Sequence, residues 1–574
     1  MKRSSYLVLA FVIVLSMALA SCAPAVAPAA EVPAVVETEA PAAAPTEAPA
    51  APAAPAATFE AMKLEAPNCD YGGSFKSIEA VDEMTVKFTL CASDPAFPSK
   101  VAFSPFSILD KDHLDANGGD SVKMSDDPNG TGPYILKEWK RGDSVTYESN
   151  PNYWGEKAKI KTVIFRWSEQ SAQRLLELQS GTVDGIDNPA PEDFATIAAD
   201  ANLAIYDRAP LNVFYIGFNV DKAPFTDEKV RQAFGMAVDR QRILDNYYPE
   251  GSTVAESFNP DAFPVGPSPD IKWYGYDPEK AKALLEEAGF DFKQEINLSF
   301  RNVVRGYLPT PDKVAQELQA QFAEIGVNLK LNQMESATFI DATAAGQEAL
   351  YLLGWGADYP DATNFMDYHF ANDNNKQFGT LFPDIVTEIR AAAKLSDPAE
   401  RQAHYDKANE LLKTHVPMIP VAHGGSATAF KAEVKGAHSS PLSNEIFGVM
   451  DNGKDTLVWM QSGEPNALWC SDETDGETLR ACEQVYEALL SYSVGGVEVE
   501  PGLAEKYEGN TDATEWTFTL RPGVKFHNGA TLDANDVVAT YTAWWDAASP
   551  NHKGRTTTFE YFGAFFGAFL NAPK

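Results

Sequence analysis

From Ser74 onward, short alternating strands and amphipathic helices follow one another, separated by glycine-marked breaks, and this rhythm restricts the chain to a layered α/β fold. In SIEAVDEMTVKFTL, Val86, Phe88 and Leu90 fall on one face while Lys87 and Thr89 fall on the other, as in a half-buried strand. GTGPYILKEWKRGDSVTYESNPNYWG reads as a hairpin, with strands at 135–139 and 145–148 around the turn Arg141-Gly142-Asp143. SAQRLLELQSGTVDGID places Leu175, Leu176 and Leu178 at helical spacing and stops at Gly181. DEKVRQAFGMAVDRQRIL, DPEKAKALLEEAGF and PDKVAQELQAQFAEIGVNLKL continue the helices, the last two ending on a glycine C-cap before a new strand.

The last quarter begins differently. After the turn Asp451-Asn452-Gly453, TLVWMQSGEP has the character of the first strand of a secreted domain, although it lies near the end of the chain. In EWTFTLRPGVKFHNGATLDANDVVATYTAWW, Trp516, Phe518 and Leu520 alternate, and Arg521-Pro522-Gly523 turns the chain. Val524 and Phe526 read as a second strand, and Asp533 with Asp536 forms a capping box for a helix.

Lys2 and Arg3 precede an apolar run at 6–20 that is shorter than the ~20 residues needed to span a bilayer, which fits a secretory signal. It ends in Leu19-Ala20-Ser21-Cys22, which resembles the lipobox of bacterial lipoproteins. Residues 1–22 are therefore expected to be a lipoprotein signal, with Cys22 as the lipid-bearing anchor at the outer face of the cell membrane. Residues 23–57, rich in Ala and Pro, have no large side chains to bury and should form an extended tether. The formal net charge of −35, from 46 Lys and Arg against 81 Asp and Glu, repels a phosphate backbone and argues against nucleic acid as a partner. Beyond Cys22 the cysteines form two local pairs, Cys69 with Cys91 and Cys470 with Cys482, which in an exported protein are candidates for disulfides. Neither pair has metal-site spacing, no HExxH, GxSxG or phosphate-loop motif occurs, and neither cofactor nor metal nor catalysis is expected.

PGLAEKYEG…WTFTLRPGVKFHNGATLDANDVV resembles the signature region of the family 5 extracellular solute-binding proteins, the peptide-binding and related receptors of ABC importers. GTGPYILKEWKRGD…NPNYWG, FNVDKAPFTDEKVRQAFGMAVDR and LYLLGWGADYPDATNF resemble the same family, and together these segments cover nearly all of 58–574. Their order is rotated: the segments that come first in the family stand last here. A circular permutation, joined across 440–455, explains one full set of segments in rotated order; fragments of a tandem pair are the alternative. The resemblance implies a two-lobed, type II periplasmic-binding-protein fold with mixed sheets and a hinge. It places lobe I at 58–216 and 421–574 and lobe II at 217–420, with crossings near 215–219 and 416–423.

The resemblance also implies a ligand site. Asp358, in Trp355-Gly356-Ala357-Asp358-Tyr359, matches the aspartate that peptide-binding members use for the ligand's α-ammonium. Arg305, in NVVRGYLPTP, resembles the arginine of the dipeptide-binding branch that pairs with the α-carboxylate, although Gly306 stands where the family has proline. Trp355 and Tyr359 would wall a side-chain pocket. Physically, a dipeptide is a zwitterion with charged ends at most ~7 Å apart, and a closed cleft must replace its lost hydration with an opposite charge at each end. The competing roles are a turn cap for Asp358 and a solvated loop position for Arg305. The expected function is a monomeric, lipid-anchored receptor that delivers short peptides, of dipeptide length, to ABC permease subunits. A same-fold receptor for an oligosaccharide or opine, or a non-transport interaction protein, are the alternatives.

Overall fold

The computed structural model describes residues 59–372 and 375–573; Cys22, the signal segment and the tether lie outside the described residues. Two large apolar cores organise it. One draws on residues between 66 and 165 and between 430 and 570, with Tyr359 joining from elsewhere; the other draws on residues 211–422.

The first core is built on both halves of the chain. Strands Lys63–Glu65, Phe75–Asp82, Thr85–Leu90, Glu515–Leu520 and Ala504–Gly509 lie side by side in that order as an antiparallel sheet. Val86 stands opposite Phe518 and Phe88 opposite Trp516. The helix Ala534–Trp545, which carries the capping box of Asp533 and Asp536, lays Tyr541 against Phe88 with ring centroids 4.9 Å apart. A disulfide joins Cys69 to Cys91, and another joins Cys470 to Cys482. Val524 and Phe526 are buried as their pattern requires, yet they form no second strand. Both edges of Glu515–Leu520 are already occupied, so the chain after it keeps only an isolated bridge, Lys525 to Thr531.

A seven-stranded sheet runs in the order Tyr134–Lys140, Ser144–Ser149, Thr162–Trp167, Thr456–Gln461, Gly185–Asp187, Ser426–Lys431, Leu203–Arg208. The late strand Thr456–Gln461 is thus internal, parallel to both of its neighbours, with Trp459 fully buried. A buried charge cluster fixes this arrangement. Arg208 reaches Asp187 (2.9 Å) and Glu445 (2.7 Å), and Arg480 reaches Glu445 (2.6 Å) and Asp187 (3.2 Å). All four side chains are at most 6% exposed.

The second core surrounds a six-stranded sheet ordered Thr253–Val254, Met418–His423, Asn212–Phe218, Leu350–Gly356, Glu295–Arg301, Asn328–Met334. The chain passes between the seven- and six-stranded sheets at 209–211 and 424–425. The segments expected as crossings, 215–219 and 416–423, lie mostly within the six-stranded sheet, because Tyr215, Ile216, Met418 and Ile419 are needed in its core. The true crossings hold each other: Asn212 Nδ2 donates to the Gly424 carbonyl (2.7 Å), and the Gly424 amide donates to Asn212 Oδ1 (2.8 Å). Gly424 has no space for a side chain, since a Cβ would lie 2.1 Å from the Gly306 carbonyl oxygen.

Removing one partner from a buried charge cluster leaves uncompensated charge, at about 3–5 kcal/mol. Glu445→Ala should therefore lower the denaturant midpoint strongly, whereas Glu65→Ala, from an exposed ion pair with Lys63, should lower it little. Burial alone would raise the Glu445 pKa, but Arg480 and Arg208 hold it down to about 2. Its contribution is therefore present above the ordinary carboxylate pKa and is lost as pH falls toward 2, which chemical denaturation across that window would show.

Candidate ligand-binding site between the lobes

The strand Leu350–Gly356 runs through the second core and delivers Trp355 and then Asp358 to the facing lobe, just beyond a strand end, where α/β folds form ligand sites. The next helix, Ala362–Phe370, is capped by Asp361, whose carboxylate is gripped by Arg401 at 2.9 and 2.8 Å. That anchored helix presents Asn364, Asp367 and Tyr368 on one face, since residues three and four apart are neighbours on a helix.

Asp358 is 8% exposed and is held from both lobes. Asn364 Nδ2 donates to Oδ2 (2.8 Å), and the Tyr561 hydroxyl, from the helix Glu560–Phe566, donates to Oδ1 (2.7 Å). Burial pushes its pKa up to about 7, against the lowering effect of those two hydrogen bonds. Trp355 stacks on Tyr368 at 4.5 Å and donates from Nε1 to Asn364 Oδ1 (3.3 Å). Tyr359 is bonded to Thr363 Oγ1 (3.0 Å) and lies edge-on to Phe565 at 4.8 Å, so much of its ring belongs to the first core.

These groups surround a cavity of about 60 Å³ walled from one side by Trp355, Tyr359, Asp367 and Tyr368, and from the other by Lys100 and Tyr561. The space is several times the ~10–15 Å³ that admits one water. Asp358 sits directly behind this wall, bonded to two of the residues that line it. Arg305 does not line this cavity, and the structure does not bring it together with Trp355 and Tyr359. It forms a tight turn with Leu308, closed by two backbone hydrogen bonds of 3.2 and 3.0 Å, beside the crossing at Gly424. Its guanidinium donates to the Val304 carbonyl (3.2 Å), and its charge lowers the pKa of Glu477, on the facing lobe, against the effect of burial.

The sequence reading missed Lys100, Asp367, Tyr368 and Tyr561. Asp367 and Tyr368 carried a usable signal, being one helical turn beyond Asn364. Tyr561 carried none, because it stands 203 positions from its partner.

The chain matches the family model for bacterial extracellular solute-binding proteins, family 5, over residues 48–377 and 498–563. It belongs to that family. Similar proteins include heme-binding protein A of Haemophilus influenzae, 31% identical over 66% of this chain and 70% of that protein. The dipeptide-binding protein of Escherichia coli is 30% identical over 64% of this chain and 70% of its own length. Among solved structures, the dipeptide-binding protein of Pseudoalteromonas sp. SM9913 in complex with Met-Leu has a TM-score of 0.58 at 27% identity, over 64% of this chain and 74% of that one. The mixed sheets and their arrangement are those of type II periplasmic binding proteins.

Asp358 makes stability depend on pH in the opposite sense to Glu445. A carboxyl with a folded pKa of about 7 binds more protons in the native state than in the unfolded state between roughly pH 4 and 7. Its stabilising contribution is present below that window and is lost as pH rises through 7. Thermal melts of the unliganded protein should be higher at pH 5.5 than at pH 8, and Asp358→Asn should flatten that difference.

Proposed function

We propose that this protein binds short peptides in the gap between its lobes and passes them to the membrane subunits of an ABC importer. The observation that carries the reading is Asp358, a buried carboxylate at the gap whose present partners are neutral donors from both lobes. A neutral donor stabilises a buried carboxylate less than an ammonium does, because a charge-assisted hydrogen bond is roughly twice as strong as a neutral one. The peptide's α-ammonium is the group that fits. Arg305, facing Glu477 across the same gap, is the guanidinium offered to the α-carboxylate, and its planar fork suits both oxygens. The named dipeptide-binding relatives support this assignment.

The role is binding and not catalysis. The receptor is a monomer, held outside the cytoplasm by a lipid on Cys22 and the tether at 23–57. Its lobes close about the crossings at 209–211 and 424–425, a hinge motion of the kind that encloses ligands in such receptors. Its order of segments is a circular permutation of the family's. That reading draws support from the pairing of Thr85–Leu90 with Glu515–Leu520, from the internal place of Thr456–Gln461, and from the two separated stretches of the family match. A second reading, a heme receptor, is favoured by the similarity to heme-binding protein A.

Calorimetry with dipeptides decides between them. Dipeptides should bind, and Arg305→Ala and Asp358→Ala should each weaken binding by about 10- to 150-fold, the equivalent of a charge-assisted hydrogen bond of 1.5–3 kcal/mol. Because an ammonium beside Asp358 lowers its pKa, binding at pH 6 should release a proton, seen as a dependence of the heat on buffer ionisation enthalpy. Hemin binding without dipeptide binding would replace the first reading with the second.

A further inference from the structure

The cavity beside Asp358 holds more negative charge than one α-ammonium requires. Asp367, on the helix Ala362–Phe370, has its Oδ1 fully buried with no hydrogen-bond partner among the described residues. Lys100, which also lines the cavity, is committed to Asp94 (2.7 Å) and to the Phe565 carbonyl (3.4 Å). Arg401 is likewise spent on Asp361. With Lys100 paired to Asp94 and Arg401 to Asp361, Asp367 and Glu560 are the carboxyls lining the space that form no ion pair of their own among the described residues. Burial pushes the Asp367 pKa up to about 7, against the lowering effect of Lys100 and Arg401, and burial also raises that of Glu560. The remaining walls are the faces and edges of Trp355, Tyr359 and Tyr368. Aromatic faces attract cations through the ring quadrupole, and here Lys100 Nζ already stands 5.8 Å from the Tyr359 centroid. The volume, about 60 Å³, suits a compact charged head and not a whole peptide.

We propose that this cavity is a specificity pocket for a positively charged side chain on the bound peptide, with Asp367 as its counter-ion and Trp355, Tyr359 and Tyr368 as its aromatic walls. The inference rests on the peptide-binding reading above and goes further, in selecting Lys or Arg at the residue that carries the α-ammonium. Asp358 takes the α-ammonium and Asp367 takes the side-chain cation one helical turn beyond Asn364. A neutral side chain of the same length would fill the space and leave the Asp367 oxygen unpaired.

The test is calorimetry on the full chain with Lys-Ala and norleucyl-Ala, which differ only in the terminal ammonium. Lys-Ala should bind at least about tenfold more tightly at pH 7.5, and in Asp367→Asn that ratio should fall to within about threefold. If both peptides bind wild type equally, or if the preference survives in Asp367→Asn, the pocket assignment is overturned while the peptide reading stands. If neither binds, both fall. Should Asp367→Asn fail to fold by thermal melt, the wild-type ratio still decides, and Glu560→Gln should reduce it.

Discussion

Four buried charges set the frame of the first lobe. Asp187, Arg208, Glu445 and Arg480 neutralise one another out of contact with water, and they come from widely separated parts of the chain. None can be buried without the others, since an unpaired ion in the interior costs several kcal/mol. Net stabilisation from such a cluster is small compared with apolar packing, so its main effect is on which arrangement is allowed. Glu445 lies in the stretch that joins the earlier and later parts of this lobe, and it also accepts the Ser440 amide (3.1 Å). That stretch is therefore fixed in place, and it feeds Thr456–Gln461 directly into the middle of the seven-stranded sheet. Trp459 completes the placement by stacking on Phe430 at 5.3 Å, with Arg480 over its ring.

The frame leaves the two crossings as the points where the lobes are joined. There the backbone polar groups find partners across the crossing itself, Asn212 with Gly424 in both directions, and His423 Nδ1 donates to the Asn212 carbonyl (2.6 Å). Rotation of one lobe on the other must preserve or exchange these bonds, and the Arg305–Leu308 turn packs against the same point through Gly306. The small residue this contact requires is Gly424, on which a Cβ would meet the Gly306 carbonyl oxygen at 2.1 Å, whereas a Cβ on Gly306 itself would meet Ser426 only at an ordinary 3.4 Å.

Periodic features were the legible ones. Val86, Phe88 and Leu90 are buried in alternation because a strand has a period of two, and Asp533 with Asp536 caps its helix because that signal is local. The family motif carried Trp355, Tyr359 and Asp358 to the gap, though Asp358 lies behind the cavity wall. The strand expected at Val524 and Phe526 failed because burial does not distinguish a strand from a turn packed on a sheet. The crossings were set too far into the second lobe, since a buried strand and a hinge segment both read as apolar runs. Tyr561 and Lys100 could not be read at all, because nothing local marks a contact between residues hundreds of positions apart.

The gap is electrically uneven along its length. Near the crossings stands Arg305, with Glu477 opposite it; farther along stand Asp358, Asp367 and Glu560, with aromatic rings between. On the reading proposed above, a zwitterion would set its ammonium toward Asp358 and Asp367 and its carboxylate toward Arg305. The reverse would place like charges together, where partial burial weakens their screening. The overall charge of −35 repels peptides that are themselves acidic, which accords with the basic side chain proposed above.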